Sequence, residues 1–215
     1  MMPAQSSNLL IVDTSMNACG VVVQRADGEI FSNIELMERG QAERLMPMIQ
    51  DVVDQAELDL QQIEGYAAVV GPGTFTGLRV GLSTMRALAQ VSGKSAVPIS
   101  TFDALAASAQ GASPAAILIE TKRSDFYLRA PGREDSCVNI EELKSIIQPD
   151  WVLIGDAVER AVRDADLFNK TIPLNCASAE GLVACARAGT PGILDPVYLR
   201  GADVSISKQQ NAKIV

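Results

Sequence analysis

Residues Val69–Ala89 have the sequence VVGPGTFTGLRVGLSTMRALA, in which an apolar run is followed by a glycine-rich loop and then by a helical pattern. Glycines occupy positions 71, 73, 77 and 81. A short apolar run closed by Gly-Pro-Gly is typical of a buried strand that leads into a turn. The stretch therefore predicts a strand over residues 65–71 and a helix over about 77–91, with Thr74 or Thr76 as its cap.

The flanking sequence predicts further strands and helices. Two apolar runs joined by a short turn, and a third reached through Asp27-Gly28, indicate three antiparallel strands at the start. Apolar residues at helical spacing then indicate an amphipathic helix, and Thr101 is placed to cap a later one. The predicted strands are residues 8–15, 18–24, 29–36, 65–71 and 95–100, and the predicted helices are residues 42–56, 77–91 and 101–110. This βββαβαβα order predicts an α/β fold, with a mixed sheet covered by helices.

A second unit is predicted after the small-residue segment QGASP, which divides the chain into an N-terminal lobe, residues 1–109, and a smaller C-terminal lobe, residues 110–215. The opening of the second lobe, ILIETKRSDFYLRAPG, repeats the pattern of LIVDTSMNACGVVVQRADG. Glu120-Thr121 stand where Asp13-Thr14 stand in the first lobe, so we expect two variants of one unit. Further helices are predicted at residues 140–147, 157–165 and 179–188, with a strand at 151–155. The polar tail SISKQQNAKIV is expected to be loosely held.

The composition is typical of a folded protein that does not bind nucleic acid directly. Hydrophobic residues make up 47% and charged residues 20% of the chain, as in ordinary globular proteins. The 26 acidic and 18 basic residues leave a net charge of −8, which disfavours contact with a polyanion. No apolar run approaches the length of a membrane span, and the first residues lack the features of a signal peptide. We therefore expect a cytoplasmic protein without membrane contact.

The sequence contains no histidine, which excludes every catalytic scheme and metal site that depends on imidazole. Ser-His-Asp, Cys-His and His-Glu-x-x-His centres are ruled out, and a metallopeptidase is not expected. The four cysteines, at positions 19, 137, 176 and 185, show no Cys-x-x-Cys spacing. They indicate reduced thiols rather than a disulfide framework.

Two interpretations of the glycine-rich loop remain open. In the first, the loop forms a phosphate site with the first turn, a site made of Asp13, Thr14, Ser15, Gly71, Gly73 and Thr76. The spacing of the glycines matches neither the P-loop nor the dinucleotide-binding fingerprint. The corresponding turn at Glu120 has no glycine. In the second interpretation, which we favour, Asp13 and Thr14 cap a hairpin, and the glycines allow a sharp turn and the close approach of another backbone.

The two helices beside the loop are apolar on most of their circumference. Such helices require burial on more than one side, and one side is their own sheet. The pattern does not separate a core face from an interface face. Packing of both helices in one core, and contact with another chain, are therefore both open interpretations.

These motifs resemble those of the bacterial TsaB (YeaZ) family, which takes part in making threonylcarbamoyladenosine in tRNA. The motifs are IVDTSMNACGVVV, ERLMPMI, VVGPGTFTGLRVGLSTMRALA, PISTFDALA and PVYLR, and the likeness is closest over the first 109 residues. It implies an actin-like, sugar-kinase-like (ribonuclease H-like) fold with two related lobes. The sequence departs from the family at Glu120-Thr121-Lys122, where Asp-Ala-Arg is usual, and at Gln41, where a histidine is common.

The resemblance also implies a role without chemistry of its own. The chain would support a catalytic paralogue, TsaD, together with the ATPase TsaE, form a homodimer when alone, and act on tRNA only indirectly. No metal or cofactor is implied for this chain alone, and ATP or ADP with Mg²⁺ would bind only in the complex. The implied contact residues for TsaD or a second copy are Leu45, Met46, Ile49, Val53, Gly77, Leu78, Gly81, Leu82, Met85 and Ala89. The alternative is an ATP- and Mg²⁺-dependent phosphotransferase of the sugar-kinase type that uses Asp13.

Overall fold

The structure, a computed structural model, describes residues 7–199 and contains two five-stranded mixed sheets. The strands of the first sheet are β1 (Leu9–Asp13), β2 (Ala18–Gln24), β3 (Ile30–Leu36), β4 (Gly65–Gly71) and β5 (Ala96–Ser100). Their order across the sheet is β3-β2-β1-β4-β5. Strands β1, β2 and β3 are antiparallel neighbours, whereas β4 runs parallel to both β1 and β5.

The second sheet repeats the topology of the first. Its strands are β6 (Ala115–Glu120), β7 (Phe126–Arg129), β8 (Ser136–Val138), β9 (Val152–Gly155) and β10 (Lys170–Pro173). Their order is β8-β7-β6-β9-β10, so each strand occupies the place of its counterpart in the first sheet. Strand β6 pairs antiparallel with β7 and parallel with β9, as β1 does with β2 and β4. The similar sequence patterns at the start of the two predicted lobes thus correspond to a repeated strand topology.

Four of the six α-helices within residues 7–199 cover the two faces of the first sheet, and the fourth and fifth in chain order pack with the second sheet. The bounds are α1 (Gln41–Gln55), α2 (Phe75–Ser92), α3 (Thr101–Ser108), α4 (Ile140–Ile146), α5 (Val158–Ala165) and α6 (Ala179–Ala188). Leu10 and Val12 pack with α1 and α2, whereas Leu9 and Ile11 pack with α3 and α6. Successive strand residues point to opposite faces. Since both faces are covered, all five residues of β1 are buried, which explains its continuous apolar run.

The predicted βββαβαβα order is confirmed, and so is one of the two predicted helix caps. Thr74 is the N-cap residue of α2, but its side chain makes no capping hydrogen bond. Ser100, not Thr101, caps α3: the Ser100 hydroxyl accepts from the Phe102 N–H at 3.2 Å. The Thr101 hydroxyl instead donates to the Pro72 carbonyl at 2.7 Å. Strands β8 and β10 escape sequence prediction because three or four residues show too little alternation.

Helix α6 follows the second sheet in sequence but packs against the first. It contacts α3 and β5, and Leu182 and Val183 join the core beneath β1 and β4. The division of the chain at residues 109 and 110 therefore stays a prediction. The polar tail SISKQQNAKIV lies outside the described residues. Between residues 7 and 199, the helices are too short or too polar to cross a membrane.

Candidate functional site

The turn between β1 and β2 lies in direct contact with the glycine-rich loop. The Thr14 hydroxyl donates a hydrogen bond to the Gly77 carbonyl at 2.7 Å, and the Thr74 N–H donates to the Ser15 carbonyl at 2.7 Å. A Cβ atom at Gly73 or Gly77 would lie within 3.0 Å of the backbone of this turn. The structure thus brings together two parts of the predicted phosphate site, but the turn itself fills the space beside the glycines.

Asp13 is buried beside this turn and is hydrogen-bonded to it. Its Oδ1 atom accepts from the Ser15 N–H at 2.9 Å and from the Ser15 hydroxyl at 2.6 Å. Burial raises the pKa of the Asp13 carboxyl, and the two hydrogen bonds oppose that rise. An aspartate bonded to the backbone two residues further on closes a turn. Between residues 7 and 199, no three Asp, Glu or Cys side chains are placed to hold a metal ion. The hydrogen bonds of Asp13 thus lie within its own turn, and the predicted phosphate site stays a prediction.

The corresponding turn of the second sheet is also occupied by its own side chains. The Glu120 carboxylate accepts from Arg160 at 2.7 and 2.8 Å and from the Lys122 N–H at 2.8 Å. The Glu120 N–H donates to Asp156, and burial raises the pKa of the Asp156 carboxyl to about 6. Glu38, Glu120 and Asp156 line a cavity of about 390 Å³ between the sheets. A cavity lined by carboxyl groups disfavours a polyphosphate.

Apolar packing joins the first turn to the second sheet. Met16, in the β1–β2 turn, is 2% exposed and lies in one cluster with Phe102 of α3. The cluster also contains Ile117, Ile119 and Ile154 from β6 and β9. The turn that would face a nucleotide phosphate in the first interpretation is therefore packed between the two sheets.

The residues predicted to contact a partner are, with one exception, inside the core of the chain itself. Leu45, Ile49, Val53, Leu78, Leu82, Met85 and Ala89 are at most 7% exposed, and Gly77 and Gly81 are also buried. The apolar side chains pack with β1, β2 and β4 in one core. These side chains are covered within the chain itself, because α1 and α2 contact both the sheet and each other, and their contact with a partner stays a prediction. Met46, 47% exposed, is the exception.

The outward surface of α1 and α2 carries a different set of side chains. Among the exposed or half-buried residues of α2, five follow one line along the helix, spaced four, three, four and four residues apart: Thr76, Val80, Ser83, Ala87 and Val91. Such spacing is typical of a helix seam that packs against another helix. Together with Met46 of α1, these five residues form what we term the outer helical face. It is the surface of these helices that a partner could contact.

The C-terminal segment, residues 189–199, crosses the start of α2 and is termed the C-terminal strap. The Val197 N–H donates to the Val70 carbonyl at 2.8 Å, and Arg86 of α2 binds Asp195 at 2.7 Å. Gly71 has a φ of 117°, and a Cβ atom there would lie 2.8 Å from the Val197 carbonyl. Gly71 thus serves the backbone turn and the contact with the strap.

Comparison with known proteins assigns this architecture to a family. The sequence matches the TsaD family, tRNA N6-adenosine threonylcarbamoyltransferase, over residues 30–183. YeaZ from Pseudomonas aeruginosa has a similar structure, with a TM-score of 0.74 and 26% identity over 90% of this chain and 100% of that one. The chain belongs to the TsaB (YeaZ) group of this family.

Curated TsaB proteins agree with this assignment. The tRNA threonylcarbamoyladenosine biosynthesis protein TsaB of Escherichia coli (strain K12) is 25% identical, and the match covers 89% of this chain and 94% of that protein. TsaB of Haemophilus influenzae is 32% identical over 60% of this chain and 56% of its own length. The predicted actin-like, sugar-kinase-like fold is confirmed.

The motifs that carry the TsaB resemblance meet in space. IVDTS forms β1 and the first turn, GPGTFTGLR forms the loop and the start of α2, and PVYL lies in the C-terminal strap. Sequence reasoning missed Phe75, Arg79 and Tyr198, which lie together where the strap crosses α2. The four-residue spacing of Phe75 and Arg79 on a helix was enough to predict that these two side chains are neighbours. No local signal joins Tyr198 to them, because it is more than one hundred residues away.

Proposed function

We propose that this chain is a non-catalytic accessory subunit in the biosynthesis of threonylcarbamoyladenosine in tRNA. It supports a TsaD-type catalytic subunit, together with a TsaE-type ATPase, and acts on tRNA only through them. The proposal rests on one observation about this member of the TsaB group. Its own turn, Asp13-Thr14-Ser15, packs against the glycine-rich loop and closes it. In this proposal, the chain is a structural subunit of the complex.

The charges and residue types of the chain support a role without chemistry. No histidine is available as a base or a metal ligand, and Asp13 is hydrogen-bonded within its own turn. The net charge of −8 disfavours direct contact with tRNA. In this proposal, ATP or ADP with Mg²⁺ binds only where this chain meets its partners, and the chain alone holds none.

The outer helical face is the proposed contact with the TsaD-type subunit. Small side chains such as Ser83 and Ala87 let another helix approach closely, while Met46 and Val91, 47% and 90% exposed, supply apolar area. In the absence of the partner, the same face is proposed to pair with a second copy. An isologous pair of this kind needs only one self-complementary surface.

Ser83→Arg tests this contact against a matched control, Ser145→Arg. Both serines are exposed on a helix, and each hydroxyl donates to the carbonyl three residues earlier, at 3.1 Å to Val80 and at 2.7 Å to Glu142. Ser83→Arg should abolish co-purification with a TsaD-type subunit, because a long charged side chain would stand in the seam. Ser145→Arg, on α4, should bind as the wild type does.

Formation of threonylcarbamoyladenosine in tRNA tests the functional role. A reaction reconstituted from the TsaD-type and TsaE-type partners should need the wild-type chain, accept Ser145→Arg and fail with Ser83→Arg. Full modification in the absence of this chain would contradict the proposed role. Normal co-purification of Ser83→Arg would contradict the assignment of the contact to the outer helical face.

A further inference from the structure

Phe75, Arg79 and Tyr198 form an exposed cluster at the start of α2, which we term the aromatic–arginine cluster. The Arg79 guanidinium lies over the Phe75 ring, 3.6 Å from its centre. The Tyr198 ring lies 5.6 Å from the Phe75 ring, tilted by 31°. Phe75 and Tyr198 remain 54% and 44% exposed, and Arg79 is exposed as well. Three large side chains are thus stacked in order on the surface of the chain.

The C-terminal strap holds this cluster in place. The Val197 N–H donates to the Val70 carbonyl, one residue before Tyr198. Arg86 of α2 binds the Leu194 carbonyl and the Asp195 carboxylate. The Tyr198 ring is therefore fixed against α2 before any partner arrives. Contacts that are ordered in advance lose less entropy when a partner binds.

Arg79 differs from Arg44, Arg86 and Arg160 in having no acidic partner among the described residues. Between residues 7 and 199, no Asp or Glu oxygen lies within 4.0 Å of its guanidinium. Arg44, Arg86 and Arg160, by contrast, each bind a carboxylate at 2.6 to 2.7 Å. The chain has 26 acidic residues against 18 basic ones. Within residues 7–199, Arg129 and Arg160 also lie over aromatic rings, but both pair with carboxylates, whereas Arg79 does not.

The position of the cluster makes it continuous with the outer helical face. Arg79 precedes Ser83 by four residues and so lies beside it along α2. Phe75 and Val80 also line a cavity of about 460 Å³ between the starts of α1 and α2. A chain seated on the outer helical face would reach the cluster at one end.

We propose that the aromatic–arginine cluster receives an Asp or Glu side chain, flanked by apolar residues, from the TsaD-type subunit. This inference rests on the proposed function, since it assumes a partner on the outer helical face. A guanidinium stacked on a ring keeps its N–H donors in the plane, where they match the two oxygens of a carboxylate. Tyr and Arg are also the residues in which binding energy concentrates at interfaces. Charge complementarity indicates an acidic side chain as the occupant. Arg79 provides a positive charge at this point, whereas the net charge of −8 of the chain as a whole repels acidic partners.

The test is the dissociation constant of the full-length chain with the TsaD-type subunit, measured by calorimetry. Arg79→Glu should weaken binding by roughly 30-fold or more, because it replaces an attraction by a repulsion at a desolvated contact. Arg79→Lys should weaken it by roughly tenfold, since the charge stays but the fork and the stacking are lost. The control is Arg163→Glu on α5, an arginine whose side chain is 70% exposed and which should change binding by less than about twofold.

A rescue experiment identifies the acidic partner residue. Single Asp→Arg and Glu→Arg variants across the surface of the TsaD-type subunit should include one that restores binding to Arg79→Glu and weakens binding to the wild type. If Arg79→Glu binds as Arg163→Glu does, while Ser83→Arg fails to bind, the inference is overturned and the proposed function stands. If Ser83→Arg also binds normally, the proposed contact itself is wrong. Arg79→Gln provides the same test if Arg79→Glu lowers the thermal midpoint of the chain.

Discussion

Gly77→Ala is expected to destabilise this chain although alanine is the better helix former. Gly77 is the third residue of α2, and the Thr14 hydroxyl donates to its carbonyl at 2.7 Å. A Cβ atom there would overlap the Thr14 carbonyl oxygen and approach the Thr74 hydroxyl. The Thr74 side chain can rotate away, but the Thr14 carbonyl belongs to the backbone of the β1–β2 turn and cannot.

The opposing free energies decide the sign. Replacing glycine by alanine in a helix gains at most about 1 kcal/mol. Overpacking a tight contact costs about 1–3 kcal/mol. Losing the Thr14 hydrogen bond costs roughly another 1 kcal/mol. The free energy of unfolding should therefore fall by about 1–3 kcal/mol, and the thermal midpoint by roughly 2–4 °C per kcal/mol in a chain of this size.

Urea denaturation of the purified chain measures this change, with Ala87→Gly as the control. Ala87 is exposed on the same helix, so its replacement should cost about 1 kcal/mol through helix propensity alone. If propensity governed both sites, the two variants would change stability in opposite directions. We expect both to destabilise. A Gly77→Ala chain as stable as the wild type, or more stable, would refute the packing of the turn against the glycine-rich loop.

Three further predictions follow from burial and charge. Leu45→Ala should lower the free energy of unfolding by about 2–5 kcal/mol, because Leu45 is 1% exposed. Met46→Ala should change it by less than about 0.5 kcal/mol, because Met46 lies on the surface. Equal effects of the two variants in urea denaturation would contradict the assignment of these residues to core and surface. Burial raises the pKa of Asp156 from 3.8 to about 6, so the folded chain should lose stability as the pH rises between these values. Asp156→Asn should remove that loss and raise the free energy of unfolding at pH 7 by roughly 3 kcal/mol, at 1.36 kcal/mol per pKa unit. An unchanged pH profile of stability in this variant would contradict the raised pKa of the Asp156 carboxyl. Calorimetry of the isolated chain with ATP and Mg²⁺ should show no binding, and tight binding that is lost in Asp13→Asn would support the phosphotransferase alternative.

The order of strands and helices in the first lobe could be predicted from the sequence alone. Strand β1 is a continuous apolar run, and α1 and α2 repeat apolar residues at helical spacing. These patterns are local, because a strand or helix requires its own residues to alternate or recur. The motifs also indicated the family. Weak elements such as β8 and β10 escaped, since their stability comes from neighbouring strands.

Only the tertiary structure decided what covers each apolar side chain and what fills the space beside the glycines. Periodicity shows that one face of a helix is buried but not which surface buries it, so Leu45 and Leu82 fitted an interface as well as a core. The glycines fitted a phosphate as well as a backbone until Thr14 and Ser15 were found against them. These outcomes depend on contacts between residues that are distant in the sequence, such as Thr14 and Gly77, 63 positions apart, and local sequence patterns carry no information about such contacts.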